Sequence, residues 1–134
     1  MSYITNIEQS VMRNDNFREV LFTGAKSQLV VMSISPGTEV GEEVHTGVEQ
    51  TLYIVSGICQ VILNGEKREI SGGDIVVVTP GTTHNFINDG IDVVKIITTY
   101  SPPNHIDKRI HATLEEAKAD VEDEAFSDEA NKQG

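Results

Sequence analysis

At 134 residues, with 38% hydrophobic and 23% charged side chains, the chain has the length and composition of one globular domain and no room for a second fold beside it. Ten Lys and Arg against 21 Asp and Glu give a net charge of -11, which repels phosphate backbones and anionic headgroups and so argues against nucleic acid and membrane surfaces as partners. The single Cys59 excludes an internal disulfide and any paired-cysteine zinc or redox site, leaving His, carboxylate and amide groups as the available metal ligands.

The N-terminal run MSYITNIEQSVMRND has no basic start followed by an apolar stretch, and no segment approaches the length of a membrane span, so a cytoplasmic protein is expected. From residue 27 the chain reads as short β-branched runs separated by turns. The first, SQLVVMSI, stops at Ser35-Pro36-Gly37; residues 52–55 and 58–63 follow, divided by Ser56-Gly57. Asn64-Gly65 is a hairpin signal, because both residues accept the positive φ of a type I′ turn, and 66–70 supplies the returning strand. Residues 74–78, 83–87 and 92–100 complete six to eight predicted strands, an antiparallel sandwich or barrel. Pro102-Pro103 ends the last long strand by removing two donors.

Thr113 with Glu116 has the pattern of a capping box, and Leu114, Ala117 and Val121 share one helical face, which predicts a short helix over 114–120. The remaining EDEAFSDEANKQG is expected to be a frayed acidic tail, serving solubility or docking a basic partner. Eight acids and two lysines over 113–134 leave -6 there and -5 on the rest. The expected organisation is a domain over 1–112 followed by a short helix and flexible tail over 113–134.

Two stretches place polar groups where a small β fold prefers apolar ones. In the first, Glu43 and His45 stand two apart and so share a strand face, and Gln50, Leu52 and Ile54 alternate on the next strand. In the second, His84 alternates with Phe86 after the Pro80-Gly81 turn. One reading makes these an exposed strand face and a rim histidine. The other turns a carboxylate and two imidazoles into one interior, where burying them unpaired costs several kcal/mol and a divalent cation offsets that cost. Neutral imidazoles suit zinc, iron, copper and nickel, and the oxygens add affinity for manganese or iron(II).

The spacing Gly37-x5-Glu43-x-His45-x4-Gln50-x6-Gly57 resembles the first motif of the cupins, G-x5-HxH-x3,4-E-x6-G. Gly73-x5-Thr79-x-Gly81-x2-His84-x3-Asn88 resembles the second, G-x5-PxG-x2-H-x3-N. With FREVLFTGAKSQLVVMSI before the motifs and YSPPNH after them, residues 17 to 111 are similar to small single-domain bacterial cupins of the conserved-barrel type. The resemblance implies a jelly-roll β-barrel of two antiparallel sheets and a homodimer formed by exchange of strand 17–22. It also implies a divalent ion (Fe, Mn, Zn or Ni) held by Glu43, His45, Gln50 and His84. Glu43 stands where the family has its first His. Gln50 stands where it has Glu, on the four-residue spacing, with Glu49 the equivalent on the three-residue spacing. The amide makes a weaker ligand, and Thr79 replaces the usual Pro.

Other residues carry smaller expectations. Asn88 reads as a turn residue, Lys95 as either an outward charge or an inward substrate contact, and Cys59 as a small core residue. His105, in the loop after the two prolines, is a candidate acid-base group, His111 a solvent-facing neighbour, and Tyr53 and Tyr100 are candidates to pack or line the pocket. A metal-dependent oxygenase or isomerase acting on a small molecule follows from such a site; a binding module without turnover, or a structural barrel, is the alternative. The scattered Lys95, Lys108 and Arg109 offer no basic cluster for a phosphosugar.

Overall fold

The structure is a computed structural model that describes residues 1–132. The chain runs α1 (Ile7–Arg13), β1 (Arg18–Thr23), β2 (Gln28–Ile34), β3 (Glu43–Val44), β4 (Glu49–Ser56), β5 (Ile58–Leu63), β6 (Glu66–Ser71), β7 (Ile75–Val78), β8 (Thr83–Ile87), β9 (Val94–Ser101), β10 (Ile110–His111), α2 (Leu114–Ala119) and α3 (Val121–Lys132). The strands form two antiparallel sheets, one ordered β10-β1-β2-β9-β4-β7 and the other β3-β8-β5-β6.

The chain passes from one sheet to the other after β2, β3, β4, β6, β7 and β8, each time through a turn or loop, so backbone pairing stays within each sheet. The ladders therefore do not run round into the closed barrel that was expected; two sheets enclose the core instead. The crossing after β4 depends on Gly57. Its φ is +96°, and a Cβ there would meet the Val93 carbonyl oxygen at 2.8 Å, so only glycine turns the chain so close to its neighbour. At the other end of β5, Asn64 and Gly65 take φ of 49° and 83° and pair Leu63 with Glu66, as the hairpin signal predicts.

Between the sheets, Val30, Met32, Leu52, Ile54, Val61, Val76, Phe86 and Ile96 pack into one cluster, joined by the buried Cys59. Strand β2 is buried on both faces because α1 covers its outer side. The helix is a further element beyond those predicted. Asn6 caps it by accepting from the Gln9 N–H, and Val11 is its buried anchor. Lys95 takes the outward of its two expected directions but is covered there by α1, where its Nζ donates to the Asn14 carbonyl and to Ser33 Oγ, so it binds the helix rather than a substrate.

Thr113 caps α2, as predicted, by accepting from the Glu116 N–H. The tail expected to fray is instead α3 as far as Lys132; its last two residues, 133 and 134, lie outside the described residues. Asp120 Oδ1 accepts from the Asp123 N–H, and Glu122, Asp123 and Glu124 place negative charge at the positive end of the helix dipole. Asp123, Ser127 and Asn131, spaced four apart, fix α3 to the body through hydrogen bonds, and Ala130 packs against the core beside them. Segment 17–22, expected to exchange between subunits, is hydrogen-bonded within its own chain to β2 and β10. Among the described residues no helix is long and apolar enough to cross a membrane.

Candidate functional site

Strand register brings the motif residues together. Glu43 pairs with His84 across β3 and β8, and His45, two residues on, comes to the same place. Gln50 pairs with Tyr100 across β4 and β9, and both are buried. The His45 and His84 rings stand 5.1 Å apart, and His45 Nε2 lies 3.5 Å from Glu43 Oε2. Glu49, the alternative to Gln50, is exposed.

Hydrogen bonds orient these donors. His84 Nδ1 is 2.9 Å from the Thr82 carbonyl and donates to it, which leaves Nε2 as a free lone pair. Gln50 Nε2 donates to Thr98 Oγ1 at 3.0 Å, leaving its carbonyl oxygen unspent. Burial lowers the His45 pKa; Glu43 opposes this, while His84 and Arg18 reinforce it, so the ring stands neutral near pH 7. Two imidazoles, a carboxylate and an amide oxygen fit a divalent ion in kind. Among the described residues, however, no three His, Cys, Asp or Glu side chains form a ready metal cluster.

A small inner chamber is lined by Gln50, His84, Phe86 and Tyr100. Beyond it a cavity of about 690 Å³ is bounded by His45, His105, Asn104, Leu114 and the inner side of α3. Arg18, Val40 and Glu43 line both. His105 is thus at the cavity, buried, with its ring 4.9 Å from that of Tyr100. Its Nδ1 donates to Asp123 Oδ2 at 2.7 Å, and Asp123 Oδ1 accepts from the Ile106 N–H. Burial, then the Arg18 charge, takes the His105 pKa down to about 4 against the opposing pull of Asp123 and Glu43. Burial raises the Tyr100 pKa to about 12, with Arg18 opposing.

Several expectations change. His111 is buried in β10 and bonded through Nε2 to Asp120, so it is neither solvent-facing nor at the cavity. Tyr53 points outward and is exposed; Tyr100 alone of the two lines the pocket. Asn88 is a turn residue, donating to the Ile34 and Asp92 carbonyls. Arg18 and Asp123 went unnoticed in the sequence. For Arg18 a signal existed: it alternates with Val20 on the inward side of β1. For Asp123 none did, because its partners lie 17 and 18 residues away along the chain.

Two facing antiparallel sheets with paired imidazoles at one end of their interior define a small β protein with a polar interior site. The family model for the cupin domain matches residues 30–100, and the chain belongs to that family. It is 34% identical over 123 residues to the Bacillus subtilis protein YrkC, covering 87% of this chain and 66% of that protein's length. Among solved structures, BH2720 from Bacillus halodurans superposes with a TM-score of 0.86 at 30% identity, over 89% of this chain and 95% of the other. KdgF from Halomonas matches with a TM-score of 0.59 at 28% identity, over 64% of this chain and 77% of the other.

Proposed function

We propose that this cupin, with its two sheets arranged as the family's jelly roll, is a cytoplasmic small-molecule protein that holds a divalent metal ion on His45, His84, Glu43 and Gln50. The observation that carries this reading is the fixed orientation of two donors: Thr82 and Thr98 occupy the far sides of His84 and Gln50, so His84 Nε2 and Gln50 Oε1 remain for a ligand. A bound ion of this kind supplies Lewis-acid polarisation of a carbonyl or a site for dioxygen. The chain's own part is to bind and orient the substrate, to exclude water with Leu52, Val78 and Phe86, and to hold a neutral imidazole at the mouth. His105, with Nδ1–H tied to Asp123, presents Nε2 as an acceptor beside the Asn104 amide at 3.5 Å, which suits orienting a substrate hydroxyl in an isomerase-type reaction.

A binding module without turnover is the second reading, favoured by the lack of a ready three-ligand cluster. Either form is proposed to pair with a second copy, covering the exposed Tyr53, Ile75 and Val77 on β4 and β7; light scattering after size exclusion checks it. The test of the metal is elemental analysis and calorimetry on tagless protein offered Mn(II), Fe(II), Ni(II) or Zn(II) after chelator treatment. About one equivalent per chain is expected for the native sequence, with none retained by His84→Ala. Equal occupancy in both proteins sinks the assignment.

A further inference from the structure

Arg18 is a buried cation that makes no salt bridge among the described residues; Asp123 is near enough to feel its charge but does not pair with it. It opens β1, pairs with Met32 and His111, and continues a row of core-facing residues through Ile96 and Ile54. Only 7% of its surface is exposed. The chain carries 21 acids, yet no ion pair among the described residues includes Arg18. Its Nε is buried with no hydrogen-bond partner, while the guanidinium lies 5.1 Å over the Phe17 ring and reaches Tyr100.

A lysine in this position would respond to burial by releasing its proton. Arginine cannot, so the charge persists, offset only by the Phe17 ring, Tyr100 and the more distant Asp123 until an anion pairs with it. The guanidinium stands where the inner chamber meets the larger cavity, since it lines both, and Glu43 lines the same junction without bridging to it. We propose that Arg18 anchors the carboxylate of a small organic acid that enters through the larger cavity, its body between α2 and Val40 and its carboxylate beside His45 and His84.

Three features select a carboxylate. The planar guanidinium fork matches its two oxygens, and the Nε–H with no partner is one of the donors such a pair uses. One cation reaches the inner end, matching a single negative charge. The outer lining carries Glu42, Asp123, Glu124 and Asp128 against Lys118 and Lys132, which disfavours a phosphate dianion. The inference rests on the small-molecule cavity of the proposed function but not on its metal.

The test uses benzoate and butyrate, with benzamide and butyramide as uncharged counterparts, on chelator-treated and metal-loaded full-length protein. Calorimetry and thermal shift should show binding of at least one acid and of neither amide. Binding should weaken at least tenfold in Arg18→Gln, fall less in Arg18→Lys, and persist in the chelator-treated native protein. Should Arg18→Gln not fold, the Arg18 Nε–H resonance of the native protein gives the same answer: it shifts with acid and not with amide. The proposal is overturned by amides that bind as well as acids, by an Arg18→Gln variant that binds like the native chain, by inorganic phosphate binding in place of the acids, or by neither acid binding in either metal state. Acid binding without metal uptake refutes only the metal reading; metal uptake without acid binding refutes only this one.

Discussion

His84 and His105 both face the hollow between the sheets, but they are held by different means. His84 sits in β8, which is paired on one side with β3 and on the other with β5, and its ring is tied to the backbone two residues away. His105 lies in a loop: Asp123 holds its ring, buried Gln28 of β2 accepts from its N–H and donates to its carbonyl, and its neighbour Asn104 accepts from Ser127 and Asn131 of α3. Moving the first requires breaking strand ladders; moving the second requires only the release of a few side-chain hydrogen bonds. The inner end is therefore suited to fixed donor geometry, and the mouth is the part able to open for a ligand.

The largest effect that separates the two regions belongs to the inner wall. Phe86 is 1% exposed and packs between the sheets beside His84, so Phe86→Ala leaves a cavity in a ladder-bound wall. A loss of about 3–5 kcal/mol in global stability is expected. Because the chain has no tryptophan, urea unfolding followed by far-ultraviolet circular dichroism is the appropriate measurement. A loss confined to local exchange in α3, with the global midpoint unmoved, would break the comparison.

Acid should act next, and through the mouth. The His105 pKa stands at about 4 in the fold against an ordinary 6.5, so the unfolded chain takes up a proton that the folded chain refuses. The stabilisation is complete above pH 6.5 and is lost as the pH falls toward 4, in total about 3 kcal/mol for this group. Asp123 adds to the same trend at lower pH. Burial alone would raise its pKa, but the hydrogen bond from His105, the Ile106 N–H and nearby positive charge leave it lowered. Stability measured at pH 7 and 4.5 should fall in the native chain and fall less in His105→Gln. Equal slopes would remove His105 from the account.

The same division explains what the sequence made legible. The residues of the inner end are read from spacing along single strands: Glu43 and His45 two apart, His84 alternating with Phe86, Gly57 and the Asn64-Gly65 turn at fixed distances from them. Each reports on local backbone geometry, which is encoded locally. The mouth joins the two ends of the chain. Alternation places Arg18 on the inward side of β1, but that it meets Tyr100, and that Asp123 meets His105, are tertiary contacts that local spacing does not report. Helix α3 escaped because its anchoring face, Asp123, Ser127 and Asn131, is polar, while helix recognition relies on an apolar stripe. Lys95 shows the same limit: its outward direction was one of the two readings, but the helix that buries it lies some 80 residues earlier in the chain.

The smallest predicted effect is also the most local. Asn131 is the one α3 residue that reaches both rims of the mouth: its Oδ1 accepts from the Gly47 N–H at 3.0 Å, and its Nδ2 donates to Asn104 Oδ1 at 3.1 Å. Asn131→Ala removes both links and leaves the buried Gly47 amide without its acceptor, at a cost of about 1 kcal/mol. Most of that loss should appear as local opening, because the strands below keep every ladder bond. Hydrogen exchange should quicken over 121–132 and at residues 46 and 47, with amides of β4 and β8 unchanged. Exchange that rises equally in β8 would mean that mouth and wall open as one unit, and that ligand entry disturbs the donor geometry it is meant to reach.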